Sequence, residues 1–308
     1  MINEAFYKGQ DLYTDGDIEE EILSLVRTHV DFTEMLAEET RWPMLYHLSP
    51  ERRNLLDWYS FDKGETLLEI GAGCGALTGM FCEKLKKVVA VELSRKRSEI
   101  IEQRCRDNRN LEILVGNFDD MIFPESFDYV TLIGVLEYAK NFIRADQQYH
   151  HLLQKVGNIL NPDGRLIIAI ENKYGLKYWA GSREDHTAGF FDGIEGYMHQ
   201  RGIQETFGKR EIVDLLNLSG FAHLQFYYPH PDYKMPLEIF SDHCLPDIFQ
   251  ILTDAPNYDQ DRMSLFSETL AFTGLIKNGT YDFFANSFLI IASKGRPVAA
   301  NLHQIQPE

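Results

Sequence analysis

Residues Leu67-Leu68-Glu69-Ile70-Gly71-Ala72-Gly73-Cys74-Gly75-Ala76 decide how this chain is read. A short apolar strand runs into glycines that permit a tight turn and close backbone approach to a ligand, and a helix start follows. Such a loop can cradle the polar part of a nucleotide-like molecule. Glu92 closes the next strand 92 − 71 = 21 residues after Gly71, where a carboxylate can accept hydrogen bonds from ribose hydroxyls. Gly71-x-Gly73-x-x-Ala76 also satisfies the dinucleotide fingerprint, yet three features point to another ligand. Glu69 stands two residues before the first glycine, where it could hold an ammonium but would repel a pyrophosphate. A third glycine at position 75 gives E-x-G-x-G-x-G. And about sixty residues precede the loop, whereas dinucleotide domains often begin with this strand.

Outward from the loop, apolar runs alternate with helical patterns. ETLLEI (65–70), KVVAVEL (87–93), LEILVG (111–116), FDYVTLIG (127–134) and RLIIAIEN (165–172) read as strands. Helices are predicted over 76–86, about 95–108 and 144–160, and the core resumes with a helix (209–221) and strands at 222–228 and 287–293. Nearly continuous apolar strands between helices predict an α/β fold, a doubly wound and mostly parallel sheet covered on both faces.

Around this core, residues 1–60 read as a helical N-terminal extension. Ile18, Ile22, Leu25 and Val26 form a stripe behind a possible Asp17 cap, more helix is expected over Asp31–Glu39, and another from Pro50. The domain proper is expected over 61–294. Two insertions interrupt it, at 171–206 with six glycines and at 229–280 with five of the eleven prolines. Loops of such length tend to be lids or binding loops, so both are assigned to an acceptor lid. Residues 295–308 read as a flexible tail.

Composition narrows the function. The 308 residues are 44% hydrophobic and 25% charged, ordinary values for a globular protein, and carry a net charge of −17. That acidity argues against binding nucleic acid by phosphate neutralisation. No run is long enough to span a membrane, and the polar, acidic start does not read as a signal peptide. Four cysteines without metal spacing suit free thiols in the cytoplasm, and no metal site is expected.

Glu69–Gly75, Val91-Glu92-Leu93, Gly116-Asn117-Phe118-Asp119 and Phe127–Tyr138 resemble, in order, the motifs of class I S-adenosylmethionine-dependent methyltransferases. The resemblance covers about 61–228 plus the last strand. It implies that Glu69, Gly71, Ala72 and Gly73 line the methionine part of the cofactor and that Glu92 binds the ribose. Leu93 and Phe118 would pack on the adenine, with Asn117 near its exocyclic amine; the family commonly has an acid at that position. Gly75, Ile133 and Gly134 join the expected cofactor set, as does Tyr46 on a preface helix folded over the cofactor.

LEIGAGCGALTG, VEL and GNF are also similar to the ribosomal RNA adenine dimethylases. Those carry an Asn-Pro-Pro-Tyr or Asn-Leu-Pro-Tyr signature after the fourth strand, whereas this chain has Ile133-Gly134-Val135-Leu136-Glu137-Tyr138, a form more like small-molecule and glycan methyltransferases. A narrower similarity, in Tyr46–Pro50, Glu171–His186 and Phe191–Tyr197, is to bacterial methyltransferases associated with glycosyltransferases of cell-surface glycan synthesis. It implies a sugar or glycan-precursor acceptor; methyl transfer to a small-molecule or sugar hydroxyl, with a glycosyltransferase as partner, is the expectation adopted beside it.

Glu171 and His186 are the catalytic candidates. Glu171 and Asn172 end a strand at the ligand crevice, and Asp185 beside His186 could orient it as a general base. Asp192, Glu195 and His199 have weaker claims. Nine basic residues between Lys84 and Arg109 read as a solvated helix face rather than an RNA surface. An RNA adenine methyltransferase, a NAD-dependent oxidoreductase and a non-catalytic scaffold are the alternatives.

Overall fold

A computed structural model describes residues 2–11, 13–198, 204–256 and 260–297. Among the described residues, nine strands form one sheet: β1 (Ile2–Phe6), β2 (Thr66–Ile70), β3 (Lys87–Glu92), β4 (Leu111–Gly116), β5 (Phe127–Ile133), β6 (Leu160–Glu171), β7 (His223–His230), β8 (Glu238–Ser241) and β9 (Ser287–Ser293). Their order is β1-β4-β3-β2-β5-β6-β9-β7-β8. Strands β1 to β6 pair in parallel, while β9 runs antiparallel to both neighbours and β8 antiparallel to β7. The expected doubly wound, mostly parallel sheet is what the chain adopts.

The helices are α1 (Ile18–Thr28), α2 (Thr33–Leu36), α3 (Trp42–Leu48), α4 (Thr78–Lys84), α5 (Arg95–Arg104), α6 (Ala139–Phe142), α7 (Gln148–Ile159), α8 (Leu176–Trp179), α9 (Lys209–Leu218), α10 (Glu268–Lys277) and α11 (Tyr281–Phe284). Two large apolar clusters fill the faces. One gathers β5 and β6 residues such as Val130, Leu132 and Ile168 with Leu153 and Val156 of α7. The other joins Leu67, Phe81, Val88 and Ile291 to Leu55 and Tyr59.

The strand order reverses between β2 and β5, which opens a crevice at their carboxyl ends. Gly71, after β2, has φ +72°, and a Cβ there would lie 2.5 Å from Val135 Cγ2. Only glycine lets these two loops meet so closely.

The N-terminal extension differs from the expected helical preface. Residues 2–6 form an edge strand on β4, only Thr33–Leu36 is helical within 31–39, and Pro50–Leu55 is a single 3₁₀ segment. Asp17 sits at the N-cap position of α1 without a side-chain cap. Ile22, Leu23 and Val26 of α1 pack with Met44, Leu48, Cys74 and Ile100, so the extension covers the glycine loop.

The 229–280 insertion is likewise not pure loop, since it holds β8 and all of α10. Residues 298–308 of the expected tail, and His199, lie outside the described residues. No helix among the described residues is long and apolar enough to cross a membrane.

The basic stretch between 84 and 109 is more than a solvated face. Arg95 pairs with Glu4, Lys96 with Glu20 and Lys87 with Glu125, while buried Arg97 pairs with Asp15 and Glu19. The acidic extension thus neutralises Arg95, Lys96 and Arg97, while Lys87 is met by Glu125 before β5.

Candidate active site

A cavity of about 390 Å³ occupies the crevice, bounded by the loops after β2, β3, β4 and β5 and roofed by α3 and both insertions. Its volume lies in the range of small-ligand sites. Tyr46, Glu69, Gly71, Ala72, Gly73, Glu92, Leu93, Asn117, Phe118, Ile133, Gly134, Glu171 and His186 all line it. Gly75 does not: it packs against Ile101 of α5, a Cβ there falling 3.3 Å from Ile101 Cγ1. It shapes the turn without facing the cavity.

At one end stand two buried carboxylates. Glu69 accepts a 2.6 Å hydrogen bond from Thr78 Oγ1, and burial pushes its carboxyl up to about 8. Glu92 accepts from the amides of Gly73 (2.8 Å) and Ser94 (3.0 Å), which ties the glycine loop to the end of β3. Asn117 is committed to the fold. Its Oδ1 accepts from the Asp119 amide and its Nδ2 donates to the Phe142 carbonyl, so the side chain caps a turn and keeps one oxygen lone pair and one N–H for a ligand.

Tyr46 projects from α3, with the Arg52 guanidinium 4.3 Å above its ring. His47, beside it, is bonded to Asp15 at 2.8 Å. Burial, opposed by Asp15, holds the His47 pKa below its ordinary value.

The other end holds Glu171 and His186. Glu171 is fully buried at the end of β6. Lys234 Nζ stands 2.5 Å from its Oε1, and the Tyr233 hydroxyl donates to the same oxygen at 3.4 Å. Burial alone would raise the Glu171 pKa, but Lys234 and then His186 hold it well below the usual carboxylate range. His186 Nε2 faces Glu171 Oε2 at 3.6 Å, and Nδ1 lies 3.4 Å from the Tyr138 hydroxyl. Burial disfavours its charged form, yet Glu171, Glu137 and Glu184 together lift its pKa to about 9.

The expected Asp185–His186 pairing does not form. Asp185 binds Lys177 (2.8 Å), the Tyr178 hydroxyl (2.5 Å) and Lys234 (3.3 Å). Sequence neighbours in a turn diverge, and the orienting carboxylate for His186 is Glu171. Asn172 is structural too: it donates to the carbonyls of Phe283 and Ala285 and accepts from the Tyr174 amide, pinning the first insertion to the approach to β9.

Sequence reasoning missed Glu137, Tyr233 and Lys234. Lys234 and Tyr233 come from the second insertion and meet β6 only through the fold. Glu137 lies inside the recognised 127–138 motif, and its burial at 0% exposure was the missing signal.

Residues 68–168 match the family described as a methyltransferase domain. The chain is 31% identical over 109 residues to the (S)-coclaurine N-methyltransferase of Thalictrum flavum subsp. glaucum, covering 34% of this chain and 28% of that protein. It is 31% identical over 115 residues to a Streptomyces cypemycin N-terminal methyltransferase, covering 36% and 44%. The chain thus spans less than half the length of either curated relative. Its fold is similar to that of Haemonchus contortus phosphoethanolamine N-methyltransferase 1, solved with phosphoethanolamine and S-adenosylhomocysteine, at 13% identity and a TM-score of 0.50 over 92% of this chain and 50% of that one. With the sheet order and the glycine loop on β2, these matches identify the central part of the chain as a class I S-adenosylmethionine-dependent methyltransferase domain.

Proposed function

We propose that the protein transfers a methyl group from S-adenosylmethionine to a hydroxyl of a small polar acceptor, a sugar or glycan precursor. The observation that carries this reading is one cavity with two chemically different ends. The glycine loop with Glu69 and Glu92 lies at one, and the buried Glu171–His186 pair at the other.

The residues at the first end fit the cofactor. Glu69 is a buried carboxylate whose one described hydrogen-bond donor is Thr78, so a ligand ammonium would complete it. Glu92 retains acceptor capacity for ribose hydroxyls beyond its two amides. Gly71, Ala72, Gly73 and Gly134 offer backbone without bulk, while Tyr46, Leu93, Ile133 and Phe118 supply apolar walls. The cofactor contributes a methyl group on a positively charged sulfur. The chain's own share is to hold the acceptor oxygen in line, exclude water and take the hydroxyl proton on His186, which becomes free to accept it as pH approaches about 9.

Both curated relatives are named for N-methylation. A neutral amine needs no base to attack, so the buried acid–base centre favours a hydroxyl here. Tyrosines 13, 46, 138 and 233 and Trp42 line the cavity, and such rings suit the apolar face of a sugar. An RNA acceptor is disfavoured by the net charge of −17 and by pairing of the basic stretch with acidic side chains, and NAD is disfavoured by Glu69. A cytoplasmic setting accords with this chemistry.

The test is methyl transfer from labelled S-adenosylmethionine to a panel of free sugars and nucleotide sugars. Label in a hydroxyl, lost in Glu171→Gln while S-adenosylhomocysteine still binds, supports the reading. Label in an amine, or turnover unchanged by the substitution, contradicts it.

A further inference from the structure

Among the described residues, four buried side-chain atoms at the acceptor end have no hydrogen-bond partner: both carboxylate oxygens of Glu137, and Glu171 Oε2 and His186 Nε2, which face each other only as an ion pair at 3.6 Å. They come from three separate segments, the loop after β5, the end of β6 and the first insertion. One ligand atom from each residue lies within 4.8 Å of the others. Buried polar atoms without partners are destabilising, the more so when charged, so such a cluster requires an explanation. Each of these atoms has less than 1 Å² accessible to solvent, so bulk water does not complete it.

We propose that Glu137, Glu171 and His186 form a binding site for a divalent first-row cation at the acceptor end of the cavity. Two carboxylates and one imidazole make a mixed oxygen and nitrogen set of the kind that takes manganese, iron or zinc. Metal–ligand bonds of about 2.0–2.2 Å place neighbouring ligand atoms roughly 3 to 3.6 Å apart, so the cluster would tighten by up to about an ångström around the ion.

The surroundings have the form of a supporting shell, in which outer partners fix the ligands' orientation. Lys234 and Tyr233 hold Oε1 of Glu171, leaving Oε2 to face the cluster. Tyr138 lies against Nδ1 of His186, leaving Nε2 inward. The other cavity carboxylates, Asp15, Glu69, Glu92 and Asp185, all have partners among the described residues, and Glu137 alone of the six has none.

The site itself depends only on these residues. Its role deepens the proposed hydroxyl methylation and rests on that reading: a cation there would polarise the acceptor hydroxyl so that its proton is lost to solvent, with Glu171 and His186 holding the ion instead of taking the proton themselves.

The test uses the full chain, stripped with a chelator and titrated with Mn²⁺ while free ion is followed by electron paramagnetic resonance. One tight site is expected, weakened at least tenfold in both Glu137→Gln and His186→Gln, and displaced by Zn²⁺. S-adenosylhomocysteine affinity, unchanged in Glu137→Gln, shows that the variant is folded. Absence of a tight site, or equal Mn²⁺ binding by wild type and Glu137→Gln, overturns the proposal. Methyl transfer to a hydroxyl by metal-free protein would overturn the role and leave the proposed function standing. A tight Mn²⁺ site in a protein that binds no S-adenosylhomocysteine would do the reverse.

Discussion

Lys234 Nζ lies 2.5 Å from Oε1 of Glu171, so a residue of the second insertion sets the charge of the carboxylate at the end of β6. The pair belongs to a buried chain of alternating charge. Asp232 and Asp185 both bind Lys177 at 2.8 Å, and Asp185 also meets Lys234. Both insertions are thereby locked to the sheet at the acceptor end.

Replacing Lys234 by Met removes the cation and leaves Glu171 buried beside Glu137. Breaking a buried pair from one side costs about 3–5 kcal/mol. Urea unfolding of Lys234→Met is expected to show a loss of that order, and the double variant Lys234→Met/Glu171→Gln should recover part of it. A single variant as stable as wild type would show that the pair does not hold the insertions.

Glu69 gives a pH dependence with a definite sign. Burial lifts its carboxyl to about 8, so below that pH a ligand ammonium must displace a proton. S-adenosylhomocysteine affinity is expected to rise with pH, by up to about tenfold per unit below 8, and to level off above it. Glu69→Gln should bind weakly with that rise removed, measured by calorimetry across pH 6–9.

The same shift works on stability in the opposite direction. The folded form keeps the Glu69 proton up to about 8, whereas the unfolded chain loses it near 4.5. Free protein therefore loses stability as pH rises between these values. Glu69→Gln is expected to be more stable than wild type at pH 8 and to show a smaller difference at pH 5.

Gly134 has φ +67°, and a Cβ on it would sit 2.9 Å from the Tyr233 hydroxyl and 3.8 Å from Glu137 Oε1. Alanine there adds backbone strain of about 1–2 kcal/mol and crowds the passage between the two ends of the cavity. Gly134→Ala is expected to lower the melting temperature and to reduce turnover more than S-adenosylhomocysteine affinity.

The sheet was legible because β2 to β6 are buried on both faces and read as apolar runs, and Glu69 and Glu92 were legible because one stands next to the last residue of β2 and the other ends β3. β1 was not: only Ile2 and Phe6 turn partly inward on an edge strand, so Ile-Asn-Glu-Ala-Phe carries almost no pattern. At the acceptor end, Glu171 and His186 stood out by position, but their partners did not. Lys234 and Tyr233 reach Glu171 through the return of the chain along β7, which no local spacing encodes. Asp185 looked like the partner of His186 because it is adjacent in sequence, whereas the turn sends it to Lys177. Asn117 matched a motif position, yet its side chain satisfies a turn and the Phe142 carbonyl.

The central claim, that the glycine-loop end of the cavity binds S-adenosylmethionine, is tested most directly by calorimetric titration with S-adenosylhomocysteine, with NAD run in parallel. The account predicts one site for S-adenosylhomocysteine, weakened at least tenfold in Glu92→Gln, and no binding of NAD. Binding of NAD in its place, or S-adenosylhomocysteine affinity indifferent to Glu92, would contradict it.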